Sequence, residues 1–127
     1  MDPSRLTKVS VFSELSDAEL ARLSAFAAES SFAAGAKILR EGDFSTELYV
    51  IEEGAADVIR DGERVDTVGP GDLIGEMGLL EKSQRNADVV ATSPVLAISI
   101  SHWEIRRMSK DTIAKIQAVV AARRQSR

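Results

Sequence analysis

Glu76 and Arg85 stand nine residues apart in a stretch that opens Gly71-Asp72-Leu73-Ile74-Gly75-Glu76-Met77-Gly78-Leu79-Leu80 and closes Gln84-Arg85-Asn86-Ala87. A guanidinium is always charged and presents a planar fork of donors, which suits two oxygens of one phosphate. An ionised carboxylate is acceptor-only, which suits sugar hydroxyls. The apolar run before Gly75 reads as the end of a strand, and a short helical turn is expected from Glu76. Exposed backbone N–H groups of such a turn, beside an arginine, make an anion site. One Arg and one Glu can therefore read two chemically different ends of one small ligand. Gly75 fits this reading, because a side chain there would crowd a ligand approaching the backbone.

Taken singly, a Glu and an Arg in loops are usually a solvated pair contributing ~0 to 1 kcal/mol. The ordered set of residues around them is what favours a binding role. No comparable set points to catalysis. His102 is the only histidine and sits where a helix is expected to begin, so the several imidazoles of a cupin-like metal enzyme are absent. No Ser-His-Asp arrangement has a recognisable nucleophile context. The chain has no cysteine, which removes disulfides, thiolate zinc sites and cysteine nucleophiles and fits a cytoplasmic protein. No catalytic residue and no metal ligand is assigned.

The elements that must position the site follow from punctuation. All eight glycines lie between Gly35 and Gly78 and divide that stretch into short segments rich in Val, Ile and Leu. Strands are expected at Lys37–Arg40, Glu47–Glu52, Ala55–Arg60, Glu63–Val68, Ala87–Thr92 and Val95–Ile100. Asp61-Gly62 signals a hairpin and Gly69-Pro70-Gly71-Asp72 a second sharp turn. Short strands joined by short turns suggest a sandwich or rolled barrel rather than βαβ units.

Helices are expected on both sides. Ser16 with Glu19 three residues on is a capping box, and Leu15 can staple to Leu20. The spacing predicts a helix over about 16–29 with Leu20, Leu23, Phe26 and Ala27 on one apolar face. Ser101 with Glu104 opens a helix containing Trp103, Ile105 and Met108. A cap at Ser109 or Asp111 opens the last one, whose stripe is Ile113, Ile116, Val119 and Val120. Arg123, Arg124 and Arg127 suit the negative end of its dipole.

At 127 residues, with 44% hydrophobic and 28% charged residues, the chain reads as one domain with one core, spanning 1–127. A formal net charge of −4 argues against a non-specific nucleic-acid or anionic-membrane binder. No apolar window is long enough for a membrane span.

The chain resembles the cyclic nucleotide-binding domains of catabolite activator proteins, cAMP-dependent kinase regulatory subunits and cyclic nucleotide-gated channels. The resemblance runs from Phe12-Ser13-Glu14-Leu15-Ser16 through Gly35–Asp43 and Glu47–Gly54 to the closing helices. It is sharpest in the phosphate-binding cassette, where the family has Phe-Gly-Glu, an apolar residue, Ala-Leu and, later, Pro-Arg, a small residue and Ala. Here the matching residues are Ile74-Gly75-Glu76-Met77-Gly78-Leu79-Leu80 and Gln84-Arg85-Asn86-Ala87, with the Glu-to-Arg spacing preserved.

The resemblance implies a mainly β fold, a jelly-roll β-roll over about 30–100. It also implies an N-terminal helix, a short cassette helix and two C-terminal helices over about 101–125. It implies that Glu76 binds the ribose 2′-OH and that Arg85 binds the exocyclic phosphate oxygens. Gly75, Met77, Gly78 and Leu79 would offer backbone to the same phosphate, with Asn86 and Ala87 beside it. Val58, Val65 and Val68 would line the nucleoside pocket. The implied function is a sensor of cAMP or cGMP without a catalytic cofactor, whose last helix closes over the base and reports to an attached domain, a partner or a second copy.

Three departures bear on this expectation. Asn86 stands where the family usually has Ala, Ser or Thr, which leaves the base open with a lean towards cAMP. Gln84 replaces Pro and Gly78 replaces Ala. These changes motivate a competing reading, a ligand-independent interaction or dimerisation module with a degenerate pocket.

Overall fold

Side-chain alternation decides this architecture more than helix propensity does. The computed structural model describes residues 1–7, 9, 12–42, 47–75 and 87–125. Among them the order is α1 (Pro3–Thr7), α2 (Asp17–Ser24), β1 (Ala27–Phe32), β2 (Lys37–Leu39), β3 (Glu47–Glu53) and β4 (Ala56–Arg60). It continues with β5 (Glu63–Val68), β6 (Leu73–Ile74), β7 (Asp88–Ala91), β8 (Val95–Ser101), α3 (His102–Arg106) and α4 (Lys110–Gln125). The strands form two antiparallel four-stranded sheets, ordered β1-β8-β3-β6 and β2-β7-β4-β5. The result is a mainly β roll with flanking helices.

Successive strand residues face opposite ways, and the first sheet uses both faces. Leu48, Val50, Leu73, Ile98 and Ile100 pack with Leu6, Phe12, Leu15, Leu20, Leu23, Ile105, Met108 and Ile116 in a helix-side core. Their chain neighbours Ile51, Ile74 and Ala97 join Val95, Ile38, Leu39, Ala56, Val68, Val89 and Ala91 in a second core inside the roll. One sheet therefore separates two hydrophobic clusters.

The hairpin at Asp61-Gly62 has φ 54° and 80° at its two central residues, the signature of a turn whose twist matches the strands it joins. In the Gly69–Asp72 turn, Gly71 has φ 88° after Pro70, the arrangement of a type II turn. Asp72 locks it: the backbone N–H of Gly69 donates to its carboxylate at 2.8 Å, and its own N–H donates to the Gly69 carbonyl at 3.0 Å.

The capping box of α2 is formed from both sides. Glu19 N–H donates to Ser16 Oγ at 3.2 Å and Ser16 N–H donates to Glu19 Oε1 at 2.9 Å. The helix expected over 16–29, however, ends at Ser24. Ala27–Phe32 pairs along its whole length with β8, from Ala27 opposite Ile100 to Phe32 opposite Val95. The Ala-rich composition suits a helix, but sheet pairing decides between the two. Phe26 is accordingly 49% exposed instead of lying on a buried helix face. The short helix α1 carries no periodic signal. It is held by Leu6 in the core and by Arg5, which pairs with Glu52 and, at 3.1 Å, with Glu29.

Candidate functional site

The chain leaves the first sheet at Gly75 and returns to the second at Ala87. Gly75 follows β6, whose Ile74 lies opposite Tyr49 of β3, and has φ 87°, a conformation open to glycine and costly for other residues. Ala87 is buried at 6% exposure and leads directly into β7. The fold thus holds Gly75 and Ala87, which flank the Glu76–Arg85 segment, on opposite walls of the roll. Glu76, Met77, Gly78, Leu79, Arg85 and Asn86 themselves lie outside the described residues.

Three valines were expected beside that segment, and the fold gives them different surroundings. Val58 on β4 lies opposite Val89 on one side and Asp66 on the other, half-buried against the roll core. Val68 pairs with Ala56 and is buried in that core at 4% exposure. Val65 is the extra residue of a β-bulge between the Val58–Asp66 and Ile59–Arg64 pairs and is 51% exposed. A bulge of this kind re-aims side chains and is over-represented beside binding sites. Val58 and Val65 are the apolar pair that adjoining strands bring to an accessible position, while Val68 is core.

Two carboxylates that are not among the expected site residues brace the region. Asp72, buried at 7% exposure, fixes the turn that feeds β6, and its carbonyl accepts the Ile51 N–H at 3.0 Å. Asp88 follows Ala87. Its Oδ1 accepts the Glu41 backbone N–H at 2.7 Å and its Oδ2 accepts Lys37 Nζ at 3.2 Å. These two donors, the amide first, hold the Asp88 carboxyl below the ordinary carboxylate range. No local pattern announces this cluster, since the partners are 47 and 51 residues apart in sequence.

The last helix is tied to α2. Ser109 caps α4, its Oγ accepting the Thr112 N–H at 3.2 Å. Glu19 of α2 accepts from Lys115 Nζ at 2.8 Å and from the buried Thr112 hydroxyl. With Lys115 as the largest cause, followed by the Ser16 amide and the Thr112 hydroxyl, the Glu19 carboxyl is lowered to about 2. Arg22 reaches the Arg107 carbonyl at 3.4 Å, at the joint between α3 and α4. His102 opens α3, as expected. Ser101 caps that helix through the Trp103 N–H at 3.3 Å. Among the described residues no group of three or more His, Cys, Asp or Glu could hold a metal ion.

Known proteins extend this picture. A regulatory subunit of cAMP-dependent protein kinase from Yarrowia lipolytica is 38% identical over 77 residues, covering 61% of this chain and 20% of that protein. Glutaminase 2 of Bradyrhizobium diazoefficiens is 31% identical over 121 residues, covering 92% of this chain and 19% of its own length. The chain thus spans about a fifth of each of these relatives. A solved structure of a cyclic nucleotide-binding protein from Geobacter metallireducens superposes with a TM-score of 0.91 at 25% identity, over 100% of this chain and 98% of that one. The sequence pattern of the cyclic nucleotide-binding domain matches residues 29–112, two thirds of the chain and nearly all of the roll. With the two-sheet roll and the Gly75–Ala87 crossing in place, the chain belongs to the cyclic nucleotide-binding domain family.

Proposed function

We propose that this domain is a cAMP sensor, in which Arg85 holds the cyclic phosphate, Glu76 the ribose 2′-OH, and α4 passes the ligand state to an attached domain or partner. The observation that carries the reading is the crossing itself. Gly75 and Ala87 stand on opposite walls of the roll, and Ala87 leads into β7, whose Val89 lies opposite Val58. Within that segment the Glu-to-Arg order and spacing of the family are kept.

The chemistry divides by residue type. The Arg85 guanidinium offers a charged donor fork to the phosphate, and backbone N–H groups near Met77–Leu79 add to it. The Glu76 carboxylate accepts from the ribose hydroxyl. Val58 and Val65 offer apolar surface to the nucleoside. Asn86, Gln84 and Gly78 bear on base choice and on the rigidity of the cassette, and cAMP is favoured over cGMP. No side chain is assigned a bond-making role, so the domain regulates and does not catalyse. A setting in the cytoplasm fits the cysteine-free composition.

The output runs through α4. Ile116 is fully buried in the helix-side core while the Ser109 cap marks a joint after α3. A nucleotide that binds one arrangement of this joint better than another biases what α4 presents. The attached partner is an enzyme or another effector domain, in keeping with relatives of which this chain matches only about a fifth.

Calorimetric titration with cAMP and cGMP, on protein refolded free of carried-over ligand, tests the proposal. Wild-type protein binds cAMP more tightly than cGMP, and Arg85→Leu loses about 100-fold in affinity, the scale of losing charge-assisted hydrogen bonds to phosphate. Wild-type protein that binds neither nucleotide refutes the reading.

A further inference from the structure

The backbone pairing of β2 with β7 ends at Leu39 opposite Val89. In an antiparallel pair the next positions bring Arg40 to Asp88 and Glu41 to Ala87, yet no further ladder bond forms there. The Asp88 carboxylate takes over instead. One oxygen accepts the Glu41 backbone N–H at 2.7 Å and the other accepts the Lys37 ammonium at 3.2 Å. The side chain thereby replaces a ladder contact and spans from β2 to the turn that follows it, where Gly42 has φ 90°. A carboxylate accepting a backbone amide and an ammonium together is held in one orientation, because both bonds are charge-assisted.

The placement of Asp88 matters because Ala87, immediately before it, is buried and immovable without disturbing the core. Asp88 itself faces the outer side of its sheet: it lies opposite Ile59, whereas the following residue, Val89, lies opposite Val58 and packs inside the roll. Its carboxylate therefore cannot touch a ligand that lies on the Val58 side. It can act only by fixing the backbone that carries Arg85, three residues earlier.

We infer that Asp88, clasped to Lys37 and the Glu41 amide, is a positioning residue for the phosphate-binding arginine of this domain and sets the affinity of the site without contacting the nucleotide. This rests on the proposed role of Arg85. The clasp fixes the start of β7, three residues after Arg85, so less ordering remains to be done when phosphate arrives. The same carboxylate braces Glu41, just beyond β2, and the start of β7.

The test is a mutant cycle read by calorimetry with cAMP as the probe. Asp88→Ala lowers the affinity about tenfold in an otherwise wild-type chain, whereas the same change in an Arg85→Lys background costs no more than about threefold, because residues acting through one another are not additive. Asp88→Asn keeps an oxygen for the Glu41 amide and restores most of the affinity lost in Asp88→Ala. A generally weakened fold would lower the melting temperature of the ligand-free variants and weaken binding equally in both backgrounds, so that result overturns the inference. Binding by Asp88→Ala within about twofold of wild type overturns it as well. Failure of the underlying reading looks different, because then the wild-type chain binds no cyclic nucleotide at all and the inference falls with it.

Discussion

A methyl group at position 54 has nowhere to go. Gly54 has φ 92°, and a Cβ there would lie well inside contact distance of the Pro94 carbonyl oxygen and at 3.0 Å from the Val95 Cα. Both obstacles are backbone, so Gly54→Ala forces the β3–β4 turn away from the start of β8. Thermal melts should show a loss of more than about 1 kcal/mol, because the clash adds to the cost of a strained positive φ, and a melt matching wild type contradicts the packing described. The sequence identifies Gly54 only as a turn residue, because the obstacle comes from Pro94, forty positions away. The same limit applies at the site. Glu76 and Arg85 stand out by type and spacing, whereas Asp88 is silent, since its meaning depends on donors brought from β2 and the turn beyond it.

Between elements, the bond network around Glu19 links the first long helix to the last. The carboxylate completes the α2 capping box and also receives Lys115 and Thr112 of α4. Its folded value of about 2 lies below the ordinary 4.5, so its contribution to stability is present above 4.5 and disappears as pH falls through about 2. Glu19→Gln therefore melts below wild type at neutral pH, and the gap narrows on acidification across that interval. A gap that stays constant in melts over the same range contradicts the role of the charge. The capping box is readable from Ser16 and Glu19 alone, because caps are local. The partners on α4 are not readable, being 93 and 96 residues distant. Strand β1 escapes for the same reason: Ala27–Phe32 becomes a strand only because β8 arrives beside it.

For the molecule as a whole, a ligand that binds the folded state alone must stabilise it. cAMP at about a hundred times its dissociation constant raises the unfolding free energy by about 2.7 kcal/mol, visible as a higher melting temperature by calorimetry, and an unchanged melting temperature at that concentration counts against binding. The fold class is legible because glycine-bounded apolar segments are a property of the strands themselves. The division into two sheets is not, because it depends on which distant strands meet. That division has a mechanical consequence. Val50 and Ile51, Leu73 and Ile74, and Ala97 and Ile98 are chain neighbours, yet each pair divides between the helix-side core and the interior of the roll. The first sheet is thus a shared partition only one pleat thick: whatever presses on its inner side reaches the packing of α4 through a single peptide unit, with no relay of intervening side chains.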